Sequence, residues 1–331
     1  MSHPFLGGPS KEKKLPNKQT RRGIYSMIPQ LIVNSLITAA VLAIVGIGLT
    51  MCFDILKFAN FAHTELAVTG AYLAFLFNVQ LHFNLALSIL IASLLTGLLG
   101  MLTDRAVFKR MRGVGDVIPM VASLGLSIAM RDGVRAIWGS DIRVYNVEHS
   151  AGVELLGARV TPAQVGILVI VFVAMIGFHF LLKKTKLGKA MRATSDNRAL
   201  AEASSIDTEK VILFVWFVGA SFAGLGGCMI AWDTQLDPML GFMIVIPIFC
   251  AVLLGGVGNV YGVMIGALVL GFVQNLGIFV DFEKIVNLGG LFHIVDHFII
   301  PVDYKPAIPF VILVILLLFK PLGIMAKGKG K

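Results

Sequence analysis

The chain has 331 residues, 57% of them hydrophobic and only 14% charged, and its mean hydropathy of +0.86 excludes a soluble globular domain. Apolar runs of membrane-spanning length recur, while the short alternating segments of a membrane β-barrel do not, so the class is an all-α polytopic membrane protein. The net charge of +9 does not point to nucleic acid: 21 of the 28 Lys and Arg residues lie in four patches, at 11–22, 105–112, 183–210 and 320–331, each beside an apolar run. Such a distribution marks cytoplasmic flanks in contact with anionic lipid.

In chain order, residues 1–25 make a basic arm, and 28–52 a first span too long for the apolar core of a cleavable signal. A polar break, FDILKFANFAHTE (53–65), follows, then a short apolar piece at 66–77 and a full span at 85–102. If both the N-terminal patch and the 105–112 patch are cytoplasmic, an even number of crossings separates them. Three apolar pieces are present, so the short one is expected to be broken or re-entrant, buried in protein or lining a cavity. Spans at 118–138 and 164–182 flank an external loop at 139–162, with Arg131, Asp132 and Arg135 expected to snorkel at the outer end of the first.

Residues 183–210, KKTKLGKAMRATSDNRALAEASSIDTEK, divide the spans into two sets. The stretch begins basic and turns Ala-rich, and Thr194 or Ser195 is placed to cap a short helix through Ala199–Ala203. Such a helix has nothing to bury against within its own polar loop, which suits a docking element for a soluble partner. Beyond it come spans at 211–232, 239–254, 263–279 and 307–319, with 284–301 interfacial. About eight membrane-embedded helices result, with both termini cytoplasmic. NFAHTELAVTGAYLAF and GGVGNVYGVMIGALVLGF share a polar or glycine-rich break before a Gly-Ala helix, the hint of an internal repeat.

Among polar residues at depth, Asn60, His63, Glu65 and Asn259 are the candidates for a translocation pathway, since an ionisable group inside a membrane is costly and functional by default. The alternative is that they hydrate or cap helix ends near the interface. Gly255, Gly256 and Gly258 lack the following Lys-Ser/Thr of a phosphate loop and instead allow a tight turn. HIVDH (293–297) puts His293 and His297 on one helical face without a third ligand, so no metal is expected. Cys52, Cys228 and Cys250 are far apart and offer neither a disulfide framework nor zinc spacing.

NFAHTE (60–65), PMVASLGLSIAMRDGV (119–134), KTKLGKAMRATSDNRALA (184–201), LGGVGNVYG followed by GALVLG, and the final KPLGI together resemble the membrane permease of branched-chain amino acid ABC importers, in that family's order. Thr64 stands where the family usually has Gly, and Ser205-Ile206 where it usually has Gly-Ile. The resemblance implies a permease domain at 26–325 and a basic tail at 326–331. It also implies a second related permease, two ATP-binding subunits that hold the Mg-ATP, and an extracytoplasmic amino-acid-binding protein. Leucine, isoleucine or valine would cross a bacterial inner membrane, with no enzymatic site or cofactor on this chain. By that likeness Gly188, Ala190, Arg192, Ala193, Asn197 and Ala201 hold the coupling helix, while Arg192 and Arg198 suit acidic groups on a partner. Urea, short amides or other hydrophobic acids are alternatives as cargo. A stand-alone secondary transporter or channel using Glu65 and His63 is the rival of another class.

Overall fold

The computed structural model describes residues 18–147, 152–155, 157–277, 307–319 and 323–325. Its helices are α1 (Lys18–Leu56), α2 (Ala62–Phe75, continued by a π-helical turn over Leu76–Gln80), α3 (Leu85–Ala106), α4 (Val117–Trp138), α5 (Pro162–Lys184), α6 (Lys186–Asp196), α7 (Arg198–Ala203), α8 (Thr208–Asp233), α9 (Leu240–Gly255), α10 (Val260–Leu276) and α11 (Ala307–Phe319). A small antiparallel hairpin, β1 (Val153–Leu155) with β2 (Ala158–Val160), sits in the loop between α4 and α5. By length and composition α1 from Ile28, α3, α4, α5 and α8 can each cross a membrane, and α9 and α10 are shorter apolar helices.

Polar residues in the connections start these helices. Asn84 accepts from Ala86 N at the head of α3, Asp207 from Lys210 N at α8, and Asn259 from Gly262 N at α10. Thr161 and Gln164 form a reciprocal capping box at α5, with Pro162 in its first turn. Each cap satisfies an amide that the first helical turn leaves orphaned, a group more costly to strand near lipid than in water.

Packing is organised on α8. Gly224 lies against Gly70 of α2 and Thr96 of α3, Gly227 against the Ala67 backbone of α2, and Gly219 against Gly48 of α1. Without a strong hydrophobic force between helices in lipid, such small-residue contacts let backbones approach and dispersion hold them. α2 is wrapped on almost every side, with twelve of its fourteen residues buried. It therefore meets the condition for a short element at membrane depth. α4 and α5 stay peripheral, turning Val121, Leu124, Ile128, Val169, Phe172 and Val173 outward.

The threading corrects one sequence expectation. Near the start of α1, Gln30 accepts from Arg159 N of the β-hairpin, so this end of α1 lies beside the α4–α5 loop. At the finish of α1, the Asp54 carbonyl accepts from Ser195 of α6. α5 runs between those same two ends, from the hairpin to α6. The chain then alternates: α1, α2 and α3 make three passes, and the N-terminal end of α1 stands opposite the 105–112 patch. The short 66–77 piece needs no re-entrance to repair parity, because the two patches do not share a side. Residues 323–325 dock by Ile324 N to Leu254 O (2.8 Å) and Met325 N to Gly255 O (3.2 Å) at the α9–α10 turn, which lies beside Asp54. Residues 323–325 and the start of α1 are thus at opposite ends, while the termini expected on one side lie outside the described residues. The interfacial segment expected at 284–301 lies outside the described residues.

Candidate functional site

At the α6 end of the bundle, the 183–210 stretch folds into two short helices set at an elbow. Thr185 caps α6 by accepting from Gly188 N (3.0 Å), and Asn197 caps α7 by accepting from Leu200 N (3.0 Å). The cap expected at Thr194 or Ser195 is thus at Asn197, two to three residues later, with Thr194 and Ser195 inside α6. Thr194 instead donates to Ala190 O within α6, and Ser195 reaches Asp54 O. Gly188, Met191 and Thr194 form the buried face of α6, at helical spacing. A Cβ on Gly188 would overlap the carbonyls of Leu181 and Leu182, so its smallness serves the α5–α6 elbow. Ala190 and Ala193 are half-buried, and Ala201 is buried. Arg192 donates to Leu182 O (2.8 Å). Turned outward are Leu187, Ala199, Leu200 and Ala203, with Leu200 64% exposed.

A chain of ion pairs ties α7 to two long helices, α8 and α3, through the loop before α4. Arg198 donates to Glu202 (2.9 Å) within α7 and to Glu209 (2.9 Å) at the head of α8. Glu209 also receives Arg112 Nη1 (2.6 Å), from the loop before α4, and Lys109 (3.3 Å). Arg112 Nη2 in turn clasps both oxygens of Asp104, fully buried near the end of α3. The Thr208 hydroxyl, then Arg198, hold the Glu202 carboxyl below the usual carboxylate range, and Lys210 does the same for Asp207. Arg198, expected to meet a partner's acid, is engaged inside the chain.

The break after α1 builds a second polar cluster. Asn60, 1% exposed, accepts from Ala62 N at the start of α2, and Phe61 N donates to Ser123 of α4. His63, fully buried, has Nε2 3.2 Å from Val45 O, in space that Gly48 leaves open. Glu65, 2% exposed, receives both Nε (3.1 Å) and Nη2 (2.6 Å) of Arg131 on the single oxygen Oε1. Asn60 Nδ2, His63 Nδ1 and Glu65 Oε2 are buried without a hydrogen-bond partner.

Arg131 is the residue that the sequence reading missed. It does not snorkel at an outer end; it stands seven residues, about 10 Å of helix rise, inside the end of α4. There it turns onto Glu65 and lies beneath the Phe242 ring, 5.4 Å from its centroid. The signal available was an opposite charge at comparable depth. Asp132 and Arg135 do pair with one another, at 3.5 Å on an exposed face. Asn60, His63 and Glu65 stand at the head of α2 but face different neighbours, His63 towards Val45 of α1 and Glu65 towards Arg131 of α4 and Gly241 of α9, and Asn259 lies apart from them. That residue caps α10 and donates to Met325 O (3.0 Å) at the α6 end. Its turn depends on Gly256 and Gly258, both at positive φ. His293, Asp296 and His297 lie outside the described residues.

Residues 31–317 match the family model described as the branched-chain amino acid transport system permease component. The chain is 26% identical over 318 residues to the high-affinity branched-chain amino acid transport system permease protein BraD of Pseudomonas aeruginosa, covering 92% of this chain and 97% of that one. It is similarly 26% identical to the LivH permease of Salmonella typhimurium, covering 90% and 95%. The ribose import permease protein RbsC of Escherichia coli is 27% identical, covering 82% and 84%.

Proposed function

The chain belongs to the family of branched-chain amino acid transport system permease components, and from that premise we propose that it is the membrane-spanning subunit of an ATP-driven importer of leucine, isoleucine and valine. A second permease completes the pathway, two ATP-binding subunits dock on the α6–α7 elbow, and an extracytoplasmic binding protein delivers the amino acid. The α6 end faces the cytoplasm of a bacterial inner membrane. Two basic patches, 105–112 and 183–210, gather there, which supports this orientation. It leaves the start of α1 outside.

The observation that carries the reading is the elbow itself. Leu187 and Leu200 stand exposed on an otherwise polar loop, the mark of a surface awaiting a partner. Behind them the Arg198–Glu209–Arg112–Asp104 chain reaches α8, the α3–α4 loop and α3, and Ser195 reaches the end of α1. Closure of the paired ATPases displaces α7, and the ion pairs deliver that movement to the helices that bound the pathway. Asn60, His63 and Glu65 line that pathway on the α2 side.

The test is Leu187→Asp with Leu200→Asp. Both positions are exposed, so the permease still inserts, but the ATP-binding subunits no longer co-purify. Co-purification at the wild-type level would overturn the docking role. The buried Glu65 and His63 favour one other reading, a secondary transporter that needs no motor. Uptake by this permease alone, without any ATPase, would establish it instead.

A further inference from the structure

We propose that Glu65 and Arg131 form a recognition point for the charged head of a zwitterionic α-amino acid, with Glu65 receiving the ammonium and Arg131 the carboxylate as cargo passes. This deepens the amino-acid importer reading and rests on it. The pairing geometry is one-sided. A fork-to-fork pair uses both carboxylate oxygens, whereas here Nε and Nη2 converge on Oε1 and leave Oε2 buried and unpartnered. The carboxylate is packed against Gly241, in the first turn of α9, where a Cβ would come within 2.6 Å of Oε2. The start of α9 thus borders the carboxylate, and a helix start favours negative charge beside it.

One layer separates the pair from the exposed surface of the chain. Phe242, lying over Arg131, is 58% exposed, and Met243 beside it 55%. On α4, Leu124 and Ile128 continue the stripe that Arg131 ends, all at helical spacing and the two apolar ones exposed. An aliphatic side chain thus has an apolar track beside a matched pair of charges.

The electrostatics select for a zwitterion. The pair is neutral overall, and a zwitterion that exchanges partners with it keeps the site neutral throughout. A cargo with one charge would leave an unbalanced ion at depth, and an uncharged cargo would break the pair without replacing either partner.

The assembled importer, with its ATP-binding subunits and binding protein, is reconstituted in vesicles and labelled leucine uptake is read per assembled complex. Glu65→Gln and Arg131→Gln each lower uptake by about tenfold or more, as for a site built around a group it can no longer meet. The double variant Glu65→Gln/Arg131→Gln assembles yet stays equally low. A pair that merely pinned α2 to α4 would behave otherwise, because removing both charges leaves no unpaired ion. In a second measurement, millimolar leucine slows alkylation of Met243→Cys, whereas isocaproate and isoamylamine, which carry only one of the two charges, do not. Wild-type uptake in the double variant, failure of that variant to assemble, or equal protection by all three compounds would overturn the proposal. If the wild-type complex takes up no amino acid at all, the importer reading itself fails.

Discussion

At Ser205, where the resembling family usually carries glycine, the backbone sits at φ 61°, in the left-handed region. Two hydrogen bonds close the end of α7 around it, Ser205 N to Glu202 O and Ile206 N to Ala201 O, both 3.0 Å. This is the Schellman arrangement, whose left-handed position favours a residue without Cβ. Ser205→Gly is therefore expected to stabilise the elbow by about 1 kcal/mol, read as a later thermal unfolding of the solubilised permease; an earlier transition would refute the strain. Gly227 poses the opposite case. A Cβ there would overlap the Ala67 backbone, which cannot swing aside as a side chain can. Gly227→Ala is expected to cost about 1–3 kcal/mol, seen as a reduced folded fraction in thermal size-exclusion scans. The sequence displayed both positions as small residues. It could not say that one is tight because of its own φ and the other because of a neighbouring helix.

At the scale of elements, α7 is held by charges rather than by burial, so it should respond to pH and to single charge removals. Glu202 binds its partners as a carboxylate, and the Thr208 hydroxyl and Arg198 hold its folded pKa below the usual carboxylate range. A lowered carboxylate pKa contributes stability that is present above the unfolded value and lost as pH falls through the folded one. Amide exchange in α7 is thus expected to accelerate as pH drops below about 4.5, after correction for intrinsic rates, with no matching change in α8; a uniform response across both helices would remove the local cause. Arg112→Ala strands Asp104, fully buried, and is expected to cost about 3–5 kcal/mol. Adding Asp104→Leu should return part of that loss, and strictly additive penalties in this cycle would deny the coupling. Neither tie was legible beforehand. Caps were legible in kind, since Thr185, Asn197 and Asp207 are all good capping types. The choice of Asn197 over Thr194 was not, because it depends on Gly188, Met191 and Thr194 being the face that α6 buries.

For the whole molecule, the direction of threading is the testable quantity. In a background without Cys52, Cys228 and Cys250, an impermeant maleimide applied to intact cells should label Glu154→Cys and Thr20→Cys. Ala199→Cys should react only after permeabilisation. Reaction of Thr20→Cys from the same side as Ala199→Cys would contradict the three-pass path from α1 to α3. The parity error arose because four basic patches resemble one another as composition. Only contacts such as Gln30 with Arg159, and Asp54 with Ser195, set the start of α1 and the 183–210 stretch at opposite ends.

Local information sufficed for the helical class, for the approximate reach of the long spans, for a polar break within 53–65 and for the kinship of the motifs. Hydropathy, capping and glycine placement act within one turn or one span, so a linear reading captures them. Which way each helix runs, that Arg131 meets Glu65 across 66 residues of chain, and that Arg198 is spent on its own molecule were decided by tertiary packing. Those outcomes depend on which buried charge finds a partner within about 4 Å once the helices have closed around α8, and spacing along the chain carries no record of that distance.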